Sequence, residues 1–326
     1  MEIQFLERSQ IDISRWDRCI DDSVNGNPYG FSWYLDHSSG SWGGLVEGDY
    51  VSVMPLVWNT RLFGVQQLYQ PFFCQQLGVY SEFPVTEERI KAFLGSIPRR
   101  FRFVEVQLNE RTPFPSLKGV AGKEQFNCVL PLEKSYESLR RNYSESLRRS
   151  LKKAAKHGFT LTRSISPQVL LEQYRTYQGP KIGSLDNQLV EMAISIVEEA
   201  LKRNRGFVLG LNDSEGKLVA SAFFLESHGR IISLIPAVTA EGRRLNAMHH
   251  LLDSVIRENA GTDKVLDFDG STIPSIARFF KSFGSQEMPF YRIQLNRLPF
   301  WIRWYKSDFV IACKERYARR ANPLPS

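Results

Sequence analysis

The order of secondary-structure elements legible across residues 159–296 constrains the fold of this chain more than any single motif. Phe159–Ile165 alternates apolar and polar side chains, as a half-buried strand does. Ser166-Pro167 opens a helix, with Pro near its first position, and Gly179-Pro180 ends it. A second helix is expected over 187–203, where Leu189, Met192, Ala193, Ile196 and Ala200 share a face. Strands follow at Phe207–Leu211, Lys217–Glu226 and Arg230–Val238, joined by short turns into an antiparallel meander. A helix over 245–259 closes at Gly261. Lys264–Asp269 reads as a short strand, Gly270–Pro274 as a turn, the next segment as a helix stopped by Gly284, and Phe290–Leu295 as a last strand. The order β-α-α-β-β-β-α-β-α-β predicts an α/β (α+β) unit, a sheet flanked by helices.

Residues 1–133 echo this pattern more faintly. Strands are expected at Ile3–Glu7, Trp42–Glu47, Tyr50–Val57, Gly64–Tyr69, Leu77–Tyr80, Phe101–Leu108 and Phe126–Leu130. Helices are expected over Ser14–Asp22, around 31–38, and after Thr86, which caps the last of them. Residues 134–157 read as one basic connecting helix whose apolar positions Leu139, Tyr143, Leu147, Leu151 and Ala154 form one stripe. Its charged side is either a solvated face or a phosphate-facing surface. The chain thus divides into an N-terminal unit (1–133), the helix (134–157), a C-terminal unit (158–298) and a tail (299–326). The tail mixes aromatic and basic residues. It either lies on a membrane interface as an amphipathic helix, making peripheral membrane contact, or closes over the protein's own core.

A length of 326 residues suits about two domains. The net charge of +7 suits anionic partners such as nucleotide phosphates, tRNA, acidic glycans or lipid headgroups, and equally a basic but inert surface. Cys19, Cys74, Cys128 and Cys313 are too scattered for a CxxC or zinc-finger pattern, so reduced, buried thiols are expected. No segment has the length of a signal peptide's apolar stretch or of a membrane span, which predicts a cytoplasmic protein.

The element order of 159–296 resembles the GCN5-related N-acetyltransferase (GNAT) fold. The stretches LRRSLKKAAKH (147–157), followed by Gly158, and DFDGS (267–271) resemble the Fem-type aminoacyl-ligases and related bacterial acetyltransferases. The resemblance covers roughly 135–300. It implies two GNAT-like domains in tandem, each a mixed, mostly antiparallel sheet flanked by helices. It also implies transfer of an acetyl or aminoacyl group to an amine. The donor would be acetyl-CoA or an aminoacyl-tRNA, and the acceptor a small molecule or a cell-wall-precursor-like amine, with no permanently bound cofactor and no metal. GNAT enzymes hold the CoA pyrophosphate on backbone amides in a Q/R-x-x-G-x-G/A loop at a helix N-terminus. The corresponding run here is Gly242-Arg243-Arg244-Leu245-Asn246-Ala247, in which only Ala247 fits. Arg243, Arg244, Asn246 and Ala247 are the candidate donor-binding residues, and Leu245 speaks against tight CoA binding.

In this fold the reaction site lies where the fourth and fifth strands splay apart. Asp267 and Asp269 end the fifth strand on one face, with Phe268 on the other, and could bind or deprotonate an amine. The competing reading is turn and capping chemistry for Asp269-Gly270-Ser271. Tyr291 is a candidate leaving-group acid or else a core tyrosine. Ser271, Arg278 and Lys281 are candidate substrate contacts, with exposed helix cations as the plain alternative for the latter two. In the first half, Tyr69, Gln70, Phe72, Gln75 and Gln76 interleave amide donors and acceptors with aromatic surface, as the wall of a cleft between the halves would. His249-His250 are adjacent on a helix and do not face one another, so they do not form a metal pair. Three functions remain open: an N-acyltransferase without a covalent enzyme intermediate; a catalytically inactive tandem GNAT-like module that binds a nucleotide-linked or peptide ligand; and a nucleic-acid-binding protein, which rests only on the basic helix.

Overall fold

The computed structural model describes residues 2–60, 64–179, 185–270 and 274–299. The first part of the chain runs β1 (Ile3–Glu7), α1 (Ile13–Asp22), α2 (Ser32–Ser38), β2 (Trp42–Glu47), β3 (Ser52–Thr60), β4 (Gln66–Leu68), β5 (Tyr80–Ser81), α3 (Glu87–Ser96), β6 (Phe101–Gln107) and β7 (Val120–Pro131). Next come α4 (Tyr136–Arg141), α5 (Glu145–Ala154), β8 (Thr160–Thr162), α6 (Pro167–Tyr177), α7 (Asn187–Lys202), β9 (Gly206–Asn212), β10 (Leu218–Ser227) and β11 (Arg230–Val238). The last described elements are α8 (Ala240–Arg244), α9 (Ala247–Asn259), β12 (Val265–Asp267), α10 (Pro274–Lys281) and β13 (Gln286–Asn296). Among the described residues no helix is long and apolar enough to cross a membrane.

The strands join in one mixed, mostly antiparallel sheet of order β1-β2-β3-β4-β6-β13-β7-β12-β11-β10-β9-β8, with β5 paired to β3. Only β4–β6 and β11–β12 pair in parallel among these named strands. The last strand does the joining. β13 inserts between β6 and β7, and β7 pairs on its other side with β12. Residues 120–131, grouped with the N-terminal unit in the sequence reading, therefore sit in hydrogen-bond register with strands of the C-terminal half. Pro289 is tolerated inside β13 because β6 begins to pair only at Arg292, so the missing N–H faces no partner strand there.

Two apolar cores flank the sheet. One runs from Trp16, Tyr34 and Phe93 through Ile232 and Leu234 to Ile293, spanning both halves of the chain. The other lies under α5 and α9, with Leu147, Leu151, Leu251, Leu252, Phe268 and Phe283. The apolar stripe expected of residues 134–157 is buried here as anticipated, but the single helix is not formed. Ser144 breaks it: its hydroxyl caps α5 by accepting from Leu147 N at 3.1 Å, and its own N–H donates to Ser282 O at 2.8 Å. The helix expected over 245–259 is likewise preceded by a short separate turn, α8, with Asn246 in the left-handed region (φ 59°) between the two. The tail beyond residue 299 lies outside the described residues.

Candidate active site

β12 ends at Asp267 with the alternation its sequence dictates. Leu266 and Phe268 enter the core beneath α9, where Phe268 stacks on Phe280 at 4.9 Å, and Asp267 leaves from the opposite face. Asp267 is buried. Its Oδ2 accepts from Asn127 Nδ2 at 2.9 Å and from Arg230 Nη1 at 2.7 Å, and its Oδ1 accepts from the Asp269 N–H at 2.8 Å. That last bond turns the chain: Asp269 and Gly270 both take positive φ, 57° and 49°. An aspartate tolerates this region through such local hydrogen bonding, and Gly270 has no room for a Cβ between Phe126 O and Gln75 Nε2. Part of the turn chemistry read from Asp269-Gly270-Ser271 is thus present, and Ser271 itself lies outside the described residues.

The turn delivers the Asp269 carboxyl to residues of the first half and of α6. Its Oδ1 accepts from Tyr29 Oη at 3.3 Å. Burial pushes the Asp269 carboxyl well above the usual carboxylate range, the charge of Asp267 adds to this, and the Tyr29 hydroxyl opposes it. Burial likewise raises Tyr29, Tyr34 and Cys74, and raises Tyr174 to about 12, with the charge of Asp269 contributing to each. The result is a carboxyl group ringed by neutral hydroxyls and one neutral thiol. Cys74 is buried, bonded by Gln70 Nε2 at 3.6 Å, and has none of the electropositive surroundings that make a thiolate.

Beside this group lies a polar pocket of about 50 Å³ between the halves. Its walls come from the 23–29 loop, Gln75 and Gln76, Asn109–Arg111, His228, Arg230, Ile232 and Asp267. Arg230 organises it, with one guanidinium nitrogen on Asp267 and another on Glu110, and all three are largely buried. Glu110 Oε2 and Asn27 Nδ2 are buried with no hydrogen-bond partner. The His228 ring is held between Ser227 Oγ (2.6 Å) and Ile20 O (2.9 Å), and burial lowers its pKa.

The residues singled out from sequence distribute unevenly around this place. Asp267, Asp269, Gln75 and Gln76 come together there. Gln76 Oε1 accepts from Glu110 N at 3.0 Å, and Gln75 Oε1 from Gln76 Nε2 at 2.9 Å. Gln70 instead ties its loop to β6, donating to Cys74 O (2.7 Å) and accepting from Gln107 N (3.0 Å). Tyr69 packs at the edge of the first core, and Phe72 is exposed, edge-on to Phe73 at 4.7 Å. Tyr291 packs on Phe114 at 5.2 Å and pairs with Glu124 on β7, so β7 lies between its strand and β12; Glu124 is three residues along from Asn127, which lies against Gly270. Arg278 is exposed on α10, and Lys281 pairs with Glu287 at 2.7 Å.

The corner after β11 is self-contained. Gly242 N donates to Thr239 Oγ1 (2.9 Å), Arg243 N to Thr239 O (3.0 Å), Leu245 N to Glu241 O (3.0 Å) and Asn246 N to Arg243 O (3.2 Å). Arg243 Nη2 bonds Tyr177 O at 2.8 Å, Arg244 pairs with Glu241, and Ala247 is buried. His249 and His250 pack against different rings, His249 edge-on to Phe279 and His250 tilted against Phe159. No group of three His, Cys, Asp or Glu among the described residues is placed to hold a metal ion.

Sequence reading passed over Tyr29, Asn27, Glu110 and Arg230. The polar run Asn25-Gly26-Asn27-Pro28-Tyr29 reads as a turn, and nothing local ties it to residues more than two hundred positions away.

No protein-family model and no curated protein sequence matches this chain. Solved structures do. FemX superposes with a TM-score of 0.64 at 13% identity, over 89% of this chain and 97% of that one. The C-terminal domain of a protein assigned as a lysylphosphatidylglycerol synthetase from Agrobacterium fabrum gives 0.55 at 11% identity, over 92% and 96%. L-PGS from Bacillus licheniformis gives 0.53 at 11% identity, over 95% and 98%. These likenesses show the fold alone: a mixed α/β architecture with a mostly antiparallel sheet flanked by helices, shared with FemX.

Proposed function

We propose that this chain is an N-acyltransferase that moves an aminoacyl or acetyl group onto an amine, with the seam around Asp269 as its reaction centre. The observation that carries this is a carboxyl of raised pKa, beside a second carboxylate and under a tyrosine hydroxyl, at the end of β12. A base whose pKa lies nearer that of an amine is better matched to take its proton. The acceptor nitrogen attacks the donor's carbonyl carbon, and the C–N bond forms as the proton passes to the Asp269 carboxylate. When the tetrahedral centre collapses, the bond to the donor's carrier breaks and the carrier leaves with the electron pair. Asp269 returns the proton to that carrier. Tyr29, kept neutral by burial, donates a hydrogen bond to Asp269 and orients it. No enzyme nucleophile is needed, and the Cys74 thiol is held away from its reactive form.

The donor we favour is aminoacyl rather than acetyl-CoA, because the amides of Gly242, Arg243, Leu245 and Asn246 are already bonded within their own corner. The same corner supports the second reading, an inactive binding module. The acceptor we assign is a small or cell-wall-precursor-like amine. An aminoacyl-tRNA transfer assay with small amine acceptors tests the proposal. Transfer by the native protein that falls by about 10²–10⁴ in Asp269→Asn supports it. Absence of transfer from charged tRNA, together with no thermal shift from acetyl-CoA, leaves the binding module instead.

A further inference from the structure

A second hollow, on the other face of the sheet, is built to take an anion. It measures about 420 Å³ and lies between α4, α5 and α9, lined by Arg140, Arg148, Lys152 and Arg257 together with Leu151, Ala155, His250 and Asp253. Leu266 and Phe268 pack in the core beneath α5 and α9, whereas Asp267 leaves β12 from the opposite side toward the seam. A ligand in this hollow therefore does not share the reaction centre.

The charge of the hollow is uncompensated. Its one carboxylate, Asp253, is spent: it accepts from Tyr136 Oη and Tyr143 Oη at 3.0 Å and from Arg257 Nη2 at 3.3 Å. Among the described residues, Arg140, Arg148 and Lys152 have no acidic partner. Arg148 and Lys152 are one turn apart and so neighbours on α5, an arrangement of like charges that costs stability in the absence of an anion. On the outer side of the same helix, Arg149 faces Glu145 instead, at 3.9 Å. Cations also lie on the outer, solvated side of the helix, at Arg149 and Lys153. In the hollow three unpaired ones, from two helices, converge on a concavity whose buried apolar residue is Leu151. A flat membrane surface does not enter such a concavity, and its size suits a compact, multiply charged group.

We propose that this hollow is a binding site for a phosphate- or diphosphate-bearing small molecule, held by Arg140, Arg148 and Lys152. The site stands independently of the reaction assigned to Asp269.

The test is equilibrium titration of the full chain with inorganic pyrophosphate and with inorganic phosphate at physiological ionic strength, which also tells whether one phosphate suffices. Single-site binding is expected. The double substitution Arg148→Gln with Lys152→Gln should weaken it about a hundredfold, roughly tenfold for each charge-assisted hydrogen bond removed. Arg149→Gln with Lys153→Gln, on the same helix outside the lining, should leave it unchanged. All four side chains are exposed, so the variants should fold, and circular dichroism checks that they do. No binding of either anion overturns the proposal, as does equal weakening by both doubles, which would mean diffuse attraction only. Binding of anionic phosphatidylglycerol vesicles or of an oligonucleotide, but of neither small anion, overturns it too.

Discussion

Asp269 carries a cost that can be measured. Its pKa is raised on folding, so between its ordinary value and the raised one the folded state binds more proton than the unfolded state, and stability falls as pH rises through that window. Below the ordinary carboxylate range both states are protonated and the penalty vanishes. Asp269→Asn cannot ionise, so its melting temperature should exceed the native one at neutral pH and match it in acid, even as transfer is lost. The rate should rise with pH along an acid limb placed above the ordinary carboxylate range. Asp267→Asn removes the like charge that helps raise Asp269, so that limb should move to lower pH. A limb that stays put after this substitution would show that burial alone sets the pKa. Gly26 is constrained sterically: a Cβ there would clash with the His228 ring and lie 2.7 Å from Ile20 O, so Gly26→Ala should cost about 1–3 kcal/mol in denaturant unfolding.

At the scale of elements, α9 is stapled to the preceding helices through a single buried carboxylate. Asp253 gathers Tyr136 Oη from α4 and Tyr143 Oη from the break before α5. Tyr143 also lies edge-on to Phe283 at 5.6 Å, which fixes the segment after α10. Tyr143→Phe keeps the ring and removes one hydrogen bond to a charged group, so a loss of about 1.5–3 kcal/mol is expected from the unfolding midpoint. Ser144→Ala removes the cap of α5 and should cost about 1 kcal/mol. These two positions explain why a stripe that reads as one helix folds as two. The apolar period continues unbroken across 139–154, but a capping serine and a tyrosine with a buried partner make the interruption more favourable than continuity.

Across the whole molecule, the halves are locked by β13 and by the Glu110–Arg230–Asp267 cluster. Each acid comes from a different part of the chain, and the arginine satisfies both in a largely buried setting. Arg230→Met strands two buried carboxylates and should destabilise by about 3–5 kcal/mol, whereas adding Glu110→Gln and Asp267→Asn should recover most of that loss. Failure of the triple variant to recover would mean that the arginine acts mainly through packing rather than charge.

The elements of residues 159–296 were legible because periodicity and turn chemistry are local. Alternation put Asp267 opposite Phe268, Ser166-Pro167 opened a helix where it begins, and the glycine signals ended helices close to where they end. The carboxylate pair was visible for the same reason, since two residues of one strand need no tertiary information to share a face. What the sequence could not supply is whatever depends on chain segments distant in number meeting in space. Tyr29 against Asp269, Glu110 against Arg230, and β13 between β6 and β7 are all of this kind. So is the inert state of Cys74, which burial decides. Tyr291 lies on a strand that sequence reading placed, but the insertion of β7 between that strand and β12 comes from the strand order alone. Local pattern determines which elements form and which face each side chain takes; strand order and register, set by how two apolar cores are filled at once, decide which of those faces meet.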